Sequence, residues 1–150
     1  GAKWSDLKFY APRIFYPHAC KAIVLFVAND ITGGAGDKSP EEVLQLFVST
    51  LNIIRERFKD IPVFWITTNP TALRWEAWPD IFRANNLVIR QCLDSDNTYY
   101  IPTDLAFLGS DGKPKDDLFK EDKLHLNEKG YALWAKIIKR ELDFVMQQQH

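Results

Sequence analysis

Lys21-Ala22-Ile23-Val24-Leu25-Phe26-Val27-Ala28, followed at once by Asn29-Asp30, is the stretch that decides the fold of this chain. An unbroken apolar run suits a parallel strand covered on both faces, where an antiparallel strand with one wet face would alternate. The run ends in two polar side chains, and in open α/β sheets the carboxyl ends of the strands are where ligands bind. Downstream comes a glycine-rich loop, Ile31 to Lys38. Ser39-Pro40-Glu41-Glu42 then opens a helix with a capping serine, a proline at the first position and a glutamate reaching back. Val43, Phe47, Leu51, Ile54 and Phe58 form the buried stripe of that helix.

The alternation continues. Ile61 to Thr67 reads as a second strand, ending in Thr68-Asn69-Pro70. A loop with Trp75 and Trp78 leads into a helix from Pro79 to Leu93, on the spacing of Ile81, Phe82, Asn85, Val88, Ile89 and Cys92. Thr98 to Pro102 is a short third strand, and Thr103 to Glu121 a long loop with turns at Gly109 and Asp111-Gly112. The last helix, capped by Asn127, presents Tyr131, Trp134, Ile138, Leu142 and Val145 to the core. Upstream, Trp4, Leu7, Tyr10, Ala11 and Ile14 predict a short helix from Ser5 toward Phe15, ended by Pro17. This rhythm predicts an α/β fold, a three-layer α/β/α doubly wound parallel sheet, as one domain over residues 1–150 without repeats or an interdomain linker.

Composition narrows the function classes. A chain of 150 residues can bury roughly 70% of its unfolded surface around one core. Nineteen basic residues face 20 acidic ones, so no dominant basic face is expected and nucleic acid is not an expected partner. The longest apolar run, Ala22 to Ala28, is far too short to span a membrane, and no charged-then-apolar leader opens the sequence. Cys20 and Cys92 lie far apart with neither a Cys-x-x-Cys nor zinc-ligand spacing, and read as two free buried thiols. Asp116, Asp117, Glu121 and Asp122 lack the alternating spacing of a calcium loop. No metal or cofactor is expected.

Three stretches carry possible chemistry. Asp122-Lys123-Leu124-His125 puts a carboxylate three residues ahead of an imidazole, just before a strong amphipathic helix. An aspartate so placed can hold one imidazole nitrogen in the right tautomer, leaving the other to take a proton from a hydroxyl nucleophile. Asn29 reads either as a cap for the turn leaving the strand or as an amide donor aimed at a developing oxyanion. Gly33-Gly34-Ala35-Gly36-Asp37-Lys38-Ser39 superficially suits a phosphate-binding loop, but Asp37 places negative charge where phosphate would lie. No acidic residue closes the next strand, as a dinucleotide site would need. Trp75 and Trp78 read as packing on the sheet or as lining an acyl or sugar pocket, and His18 as an ordinary loop histidine.

Val27-Ala28-Asn29-Asp30 after a buried strand, with Asp122-Lys123-Leu124-His125-Leu126-Asn127 before the final helix, resembles the third and fifth sequence blocks of the SGNH, or GDSL-type, hydrolases. Asn69-Pro70 and the Leu108 to Lys113 turn fit the same pattern, so the resemblance covers nearly the whole chain. Val27 stands where the third block usually has glycine. The resemblance implies a flavodoxin-like SGNH fold and a serine esterase acting on acyl esters, short-chain or carbohydrate acetyl, through an acyl-enzyme. It implies His125 as base and then acid, Asp122 as its orienting partner and Asn29 as an oxyanion donor. The loops after Asn29, Asn69 and Pro102 would select the substrate, with Asn69 and Trp75 as contacts.

The family's Gly-Asp-Ser nucleophile turn is missing. Ser110 lies on the wrong side of the chain, and Ser5 and Ser39 match nothing in that block. Gly1-Ala2-Lys3-Trp4-Ser5-Asp6-Leu7 resembles the start of the second block, which would make the Gly1 amide an oxyanion donor; Gly1 reads equally as a tag remnant. The resemblance therefore implies a fold without its first strands and a serine supplied by a segment absent from this chain. Either an amino-terminal piece or a second copy should cover the exposed edge of the Ala22–Ala28 strand. The alternative is a non-catalytic carbohydrate- or ester-binding module, or an inactive fragment of the same fold.

Overall fold

The computed structural model describes residues 22–148. The helix expected from Ser5 toward Phe15, with Gly1, His18 and Cys20, lies outside the described residues. Within them the order is β1 (Ile23–Leu25), α1 (Pro40–Arg57), β2 (Val63–Ile66), α2 (Trp78–Leu93), β3 (Thr98–Ile101) and α3 (Glu128–Gln147). The three strands pair in parallel in the order β1-β2-β3. Leu25 lies opposite Trp65, and Trp65 opposite Tyr100. Each strand-to-strand connection contains a helix, as parallel pairing requires.

The pleat divides the core in two. Ile23, Leu25, Val63 and Trp65 face α1 and α2, meeting Val43, Phe47, Leu51, Ile54, Ile81 and Val88. Phe64, Ile66 and Ile101 face the other way, onto Ile137, Val145 and the half-buried Trp134 and Ile138 of α3. This is the three-layer α/β/α arrangement, and all five stripe positions of α1 are buried. Its start is a capping box: Ser39 Oγ accepts from the Glu42 amide at 3.1 Å and Glu42 accepts from the Ser39 amide at 3.0 Å. At the amino-terminal edge of the sheet, Arg55 donates to the carbonyls of Ile61 (2.6 Å) and Asn97 (2.8 Å). That edge is closed by α1, and the strands' carboxyl ends are left for the loops.

Two readings of burial need correction. The Ala22–Ala28 run is not covered on both faces, since Val24 and Phe26 are 41% and 40% exposed. Among the described residues α3 sits over β2 and β3 and meets this run at its ends, Ala22 packing on the same cluster and Trp134 lying edge-to-face on Phe26 with ring centroids 5.2 Å apart. Tyr131 belongs to the α3 stripe by spacing but is 52% exposed. It lies on the first turn of α3, ahead of the part that packs on the sheet. The long loop after β3 also has structure of its own, with single-turn 3-10 helices at Asp104–Phe107 and Asp116–Leu118. Phe107, Leu118 and Phe119 form a small separate core that holds this segment in place.

The start of α3 is set by backbone contact. Asn127 caps the helix by accepting from the Gly130 amide at 2.9 Å. A Cβ built on Gly130 would overlap the Leu118 carbonyl oxygen and come within 3.2 Å of Leu126 Cβ. Backbone cannot give way as a flexible side chain can, so Gly130→Ala should cost about 2 kcal/mol or more. Chemical denaturation should register it as a lower midpoint at unchanged slope; an unshifted midpoint would show that the helix can move off Leu118 freely.

Candidate active site

The turn that carries Asp122 and His125 is a pinched hairpin on the small core. Phe119 and Leu126 form an antiparallel bridge, and the Lys120 amide donates to the His125 carbonyl at 2.8 Å. Lys123 takes the left-handed conformation, φ 59°, which lets the chain reverse between Asp122 and His125. Asn127 Nδ2 donates to the carbonyls of Asp117 (2.8 Å) and Phe119 (3.2 Å), so the residue that caps α3 also pins the hairpin.

Inside this turn the Asp122 carboxylate is fully engaged. Its Oδ1 accepts from the backbone amides of Leu124 and His125, each at 3.0 Å. Its Oδ2 lies 2.6 Å from His125 Nδ1. A carboxylate can only accept, so Nδ1 carries a proton, and in the neutral ring Nε2 is the nitrogen left with a lone pair. This is the orientation a general base needs.

β1 is shorter than the apolar run, ending at Leu25, and Asn29 follows it by four residues. Its Oδ1 accepts from Arg74 Nη2 at 2.9 Å, while Arg74 Nη1 donates to the Ala28 carbonyl at 3.0 Å. Asn69, at the end of β2, accepts from Thr103 Oγ1 at 2.6 Å. Asn29, Asn69, Arg74 and His125 border one cavity of about 360 Å³, whose apolar wall includes Phe26, Leu124, Tyr131 and Trp134. Trp75 is not among the residues lining it. Its ring is stacked on Trp78, 6.4 Å between centroids and 9° between planes, which is the packing alternative of the sequence reading. Gly1 lies outside the described residues.

The glycine-rich loop serves itself. Asp37 accepts from the Thr32 and Gly33 amides at 2.9 and 2.7 Å, and Lys38 pairs with the buried Asp30 at 2.9 Å. The amides and the lysine that would cradle a phosphate are thus occupied within the protein. Among the described residues no group of acidic, histidine and cysteine side chains is placed to hold a metal ion. Cys92 is free and buried, its thiol pushed up to about 12 by desolvation.

Residues 3–133 match the sequence model of the GDSL-like Lipase/Acylhydrolase family. The chain belongs to this family. No curated protein matches it in sequence. Among solved structures, a GDSL-like lipase from Bacteroides thetaiotaomicron superimposes with a TM-score of 0.74 at 13% identity, over 96% of this chain and 72% of its own. A carbohydrate esterase family 3 protein from Talaromyces cellulolyticus gives 0.74 at 13%, over 98% and 69%. The C-terminal domain of the Drosophila Oskar protein gives 0.78 at 15%, over 94% and 70%. At such identities the likeness concerns the fold alone.

The structure brings Asn29, Asn69 and His125 to one cavity and Asp122 onto His125, and it adds neighbours that the sequence did not single out. Arg74 is one. Another is Asn85, buried on α2, which donates to the Thr68 carbonyl at 2.9 Å and accepts from the Thr68 amide at 3.0 Å. Asp104 lies behind it, with Asn85 Nδ2 at 3.4 Å. Burial pushes the Asp104 carboxyl up, opposed by hydrogen bonds from the Leu105 amide and the Thr67 and Asn85 side chains. A buried asparagine in an apolar helical stripe was the one hint that the end of β2 is braced.

Asp122 is held down from the ordinary 3.8 to about 2, chiefly by its hydrogen bond with His125 and then by the two amides. A carboxylate whose pKa falls on folding contributes order above its unfolded value and loses that contribution as pH drops through the folded one. The turn should therefore keep its Asp122–His125 contact down to a pH of about 2. Carbon-13 NMR of the Asp122 carboxyl should show a midpoint there; a midpoint at 3.8 would mean that the contact does not persist in solution.

Proposed function

We propose that this chain is the carboxyl-terminal part of a serine esterase that cleaves acyl esters, short-chain or carbohydrate acetyl, through a covalent acyl-enzyme. The observation that carries the reading is the Asp122–His125 contact of 2.6 Å, with its imidazole bordering the same cavity as Asn29. Base and amide donor sit on separate elements, yet face one space.

In the intact protein a serine from a segment outside this chain attacks the ester carbonyl, and its hydroxyl proton passes to His125 Nε2. The tetrahedral oxyanion is stabilised by the Asn29 NH₂, with the backbone amides of Gly1 and of the serine as further donors. Collapse breaks the bond to the leaving alkoxide, which takes the proton from His125 and departs as the alcohol. Water then attacks the acyl-serine, gives its proton to His125, and the acid leaves as the serine recovers that proton. Asp122 keeps the imidazole oriented throughout and is itself never protonated. Asn69 at the cavity rim is a substrate contact; Trp75, as placed, contributes through Trp78 and the loop it stiffens.

The same reading puts another stretch of polypeptide, the amino-terminal part of the protein or a second copy, along β1. Its outer edge is unpaired among the described strands, and Val24 and Phe26 are exposed beside it. Long apolar strand edges are not left open in stable proteins. Gel filtration of these 150 residues should therefore show self-association or aggregation, and a well-behaved folded monomer would contradict the expectation.

In the intact protein, His125→Ala should abolish turnover of p-nitrophenyl acetate, a loss of about 10⁴-fold or more. A fluorophosphonate, which labels activated serines, should add its mass to the segment that supplies the nucleophile. Label on this chain would mean that one of its own serines is the nucleophile. Unchanged hydrolysis by His125→Ala would remove the catalytic assignment altogether, and affinity for esters without turnover would make the protein a binding module.

A further inference from the structure

Arg74 is the only arginine or lysine among the described residues that line the cavity. It enters the 3-10 turn Trp75–Ala77 from a short segment that touches both halves of the site. One residue earlier, the Leu73 amide donates to the Lys123 carbonyl at 3.1 Å, inside the turn between Asp122 and His125. The Arg74 amide donates to Thr71 Oγ1 at 3.2 Å, which tightens the segment. From there the guanidinium spans back to β1, one nitrogen on the Ala28 carbonyl and the other on Asn29 Oδ1. Asp37 lies close enough to offset its charge.

A guanidinium has donors and no acceptor, so the amide of Asn29 can meet it only through its oxygen. That decides which edge of the amide is which. An asparagine amide is otherwise loosely held, its terminal torsion being broad and roughly two-fold. Turned the wrong way, it would offer a lone pair to a developing negative charge.

We propose that Arg74 is a positioning residue for ester hydrolysis, holding the Asn29 oxygen against its guanidinium so that the NH₂, not the oxygen, is the edge turned to the oxyanion. The inference rests on the reading of Asn29 as an oxyanion donor. The fork geometry matters as much as the charge, because two acceptors are held at once by a planar group, which a lysine ammonium cannot reproduce.

The test uses the intact protein and p-nitrophenyl acetate, with Asn29→Ala, Arg74→Gln, Arg74→Lys and the Asn29→Ala/Arg74→Gln double variant. Loss of the donor itself should lower kcat by about 10²–10³-fold. Arg74→Gln should lower kcat by roughly 10-fold or more with KM little changed, Arg74→Lys should not restore it, and the double variant should be no slower than Asn29→Ala alone. The Asn29 side-chain NH₂ signals in nitrogen-15 NMR should shift in Arg74→Gln while the thermal midpoint stays near that of the parent. Losses that multiply in the double variant, full activity in Arg74→Lys, or unmoved Asn29 signals would each overturn the proposal and leave Asn29 as donor. Full activity in Asn29→Ala would instead remove the donor reading, and this proposal with it.

Discussion

Asn127 is where the fold and the candidate site are joined. One side chain accepts from the Gly130 amide to start α3 and donates to the carbonyls of Asp117 and Phe119 to pin the hairpin. A helix start normally leaves several amides without partners, and a polar cap residue satisfies one of them. Here the cap is also the clamp on the turn that carries Asp122 and His125. The closeness of Gly130 to the Leu118 carbonyl and the bridge from Phe119 to Leu126 follow from the same docking. Burial of Phe107, Leu118 and Phe119 beneath the turn gives it an apolar footing. The position of His125 over the strand ends thus derives from the packing of α3 on β2 and β3.

The contact between Asp122 and His125 adds little to that stability. Both side chains are open to water, 45% and 63% exposed, and solvent-screened pairs of this kind are worth little. Its consequence is orientation. With Oδ1 held by two amides and Oδ2 on Nδ1, the imidazole has one tautomer and a narrow range of ring angles. Asn29 is treated in the same manner at the other side of the cavity, with Arg74 in place of the amides. In both cases the group that would meet substrate is set by a partner that can hydrogen-bond in one sense only: a carboxylate that accepts, a guanidinium that donates.

What was legible in the sequence is what local chemistry dictates. Ser39-Pro40-Glu41-Glu42 specifies a helix start within four residues, and the structure shows that capping box closed. Asp122 and His125 were legible because their contact is made within one turn. Asn29 was placed at a strand end by the apolar run before it. Arg74 was not legible, since its partners are 45 and 46 residues away and nothing in Leu73-Arg74-Trp75 distinguishes it from a solvated arginine. Asn85 and Asp104 escaped for the same reason. The open face of β1 was misread because periodicity reports which residues want burial, whereas the extent of α3 decides which receive it. Tyr131 follows that rule too: helical spacing placed it on the buried stripe, but the stripe runs past the sheet at that end.

The glycine-rich loop after β1 satisfies its amides from within. A phosphate-binding loop works because its amides point inward with nothing to satisfy them. In this chain Asp37 occupies that space as an internal anion, taking the Thr32 and Gly33 amides and the Thr32 hydroxyl. Asp37 also offsets part of the charge of Arg74, whose guanidinium meets Asn29. Where another loop of this kind would receive a phosphate, this one holds its own carboxylate. The same parallel-sheet scaffold supports either use; with aspartate at position 37, the loop's own carboxylate takes the amides.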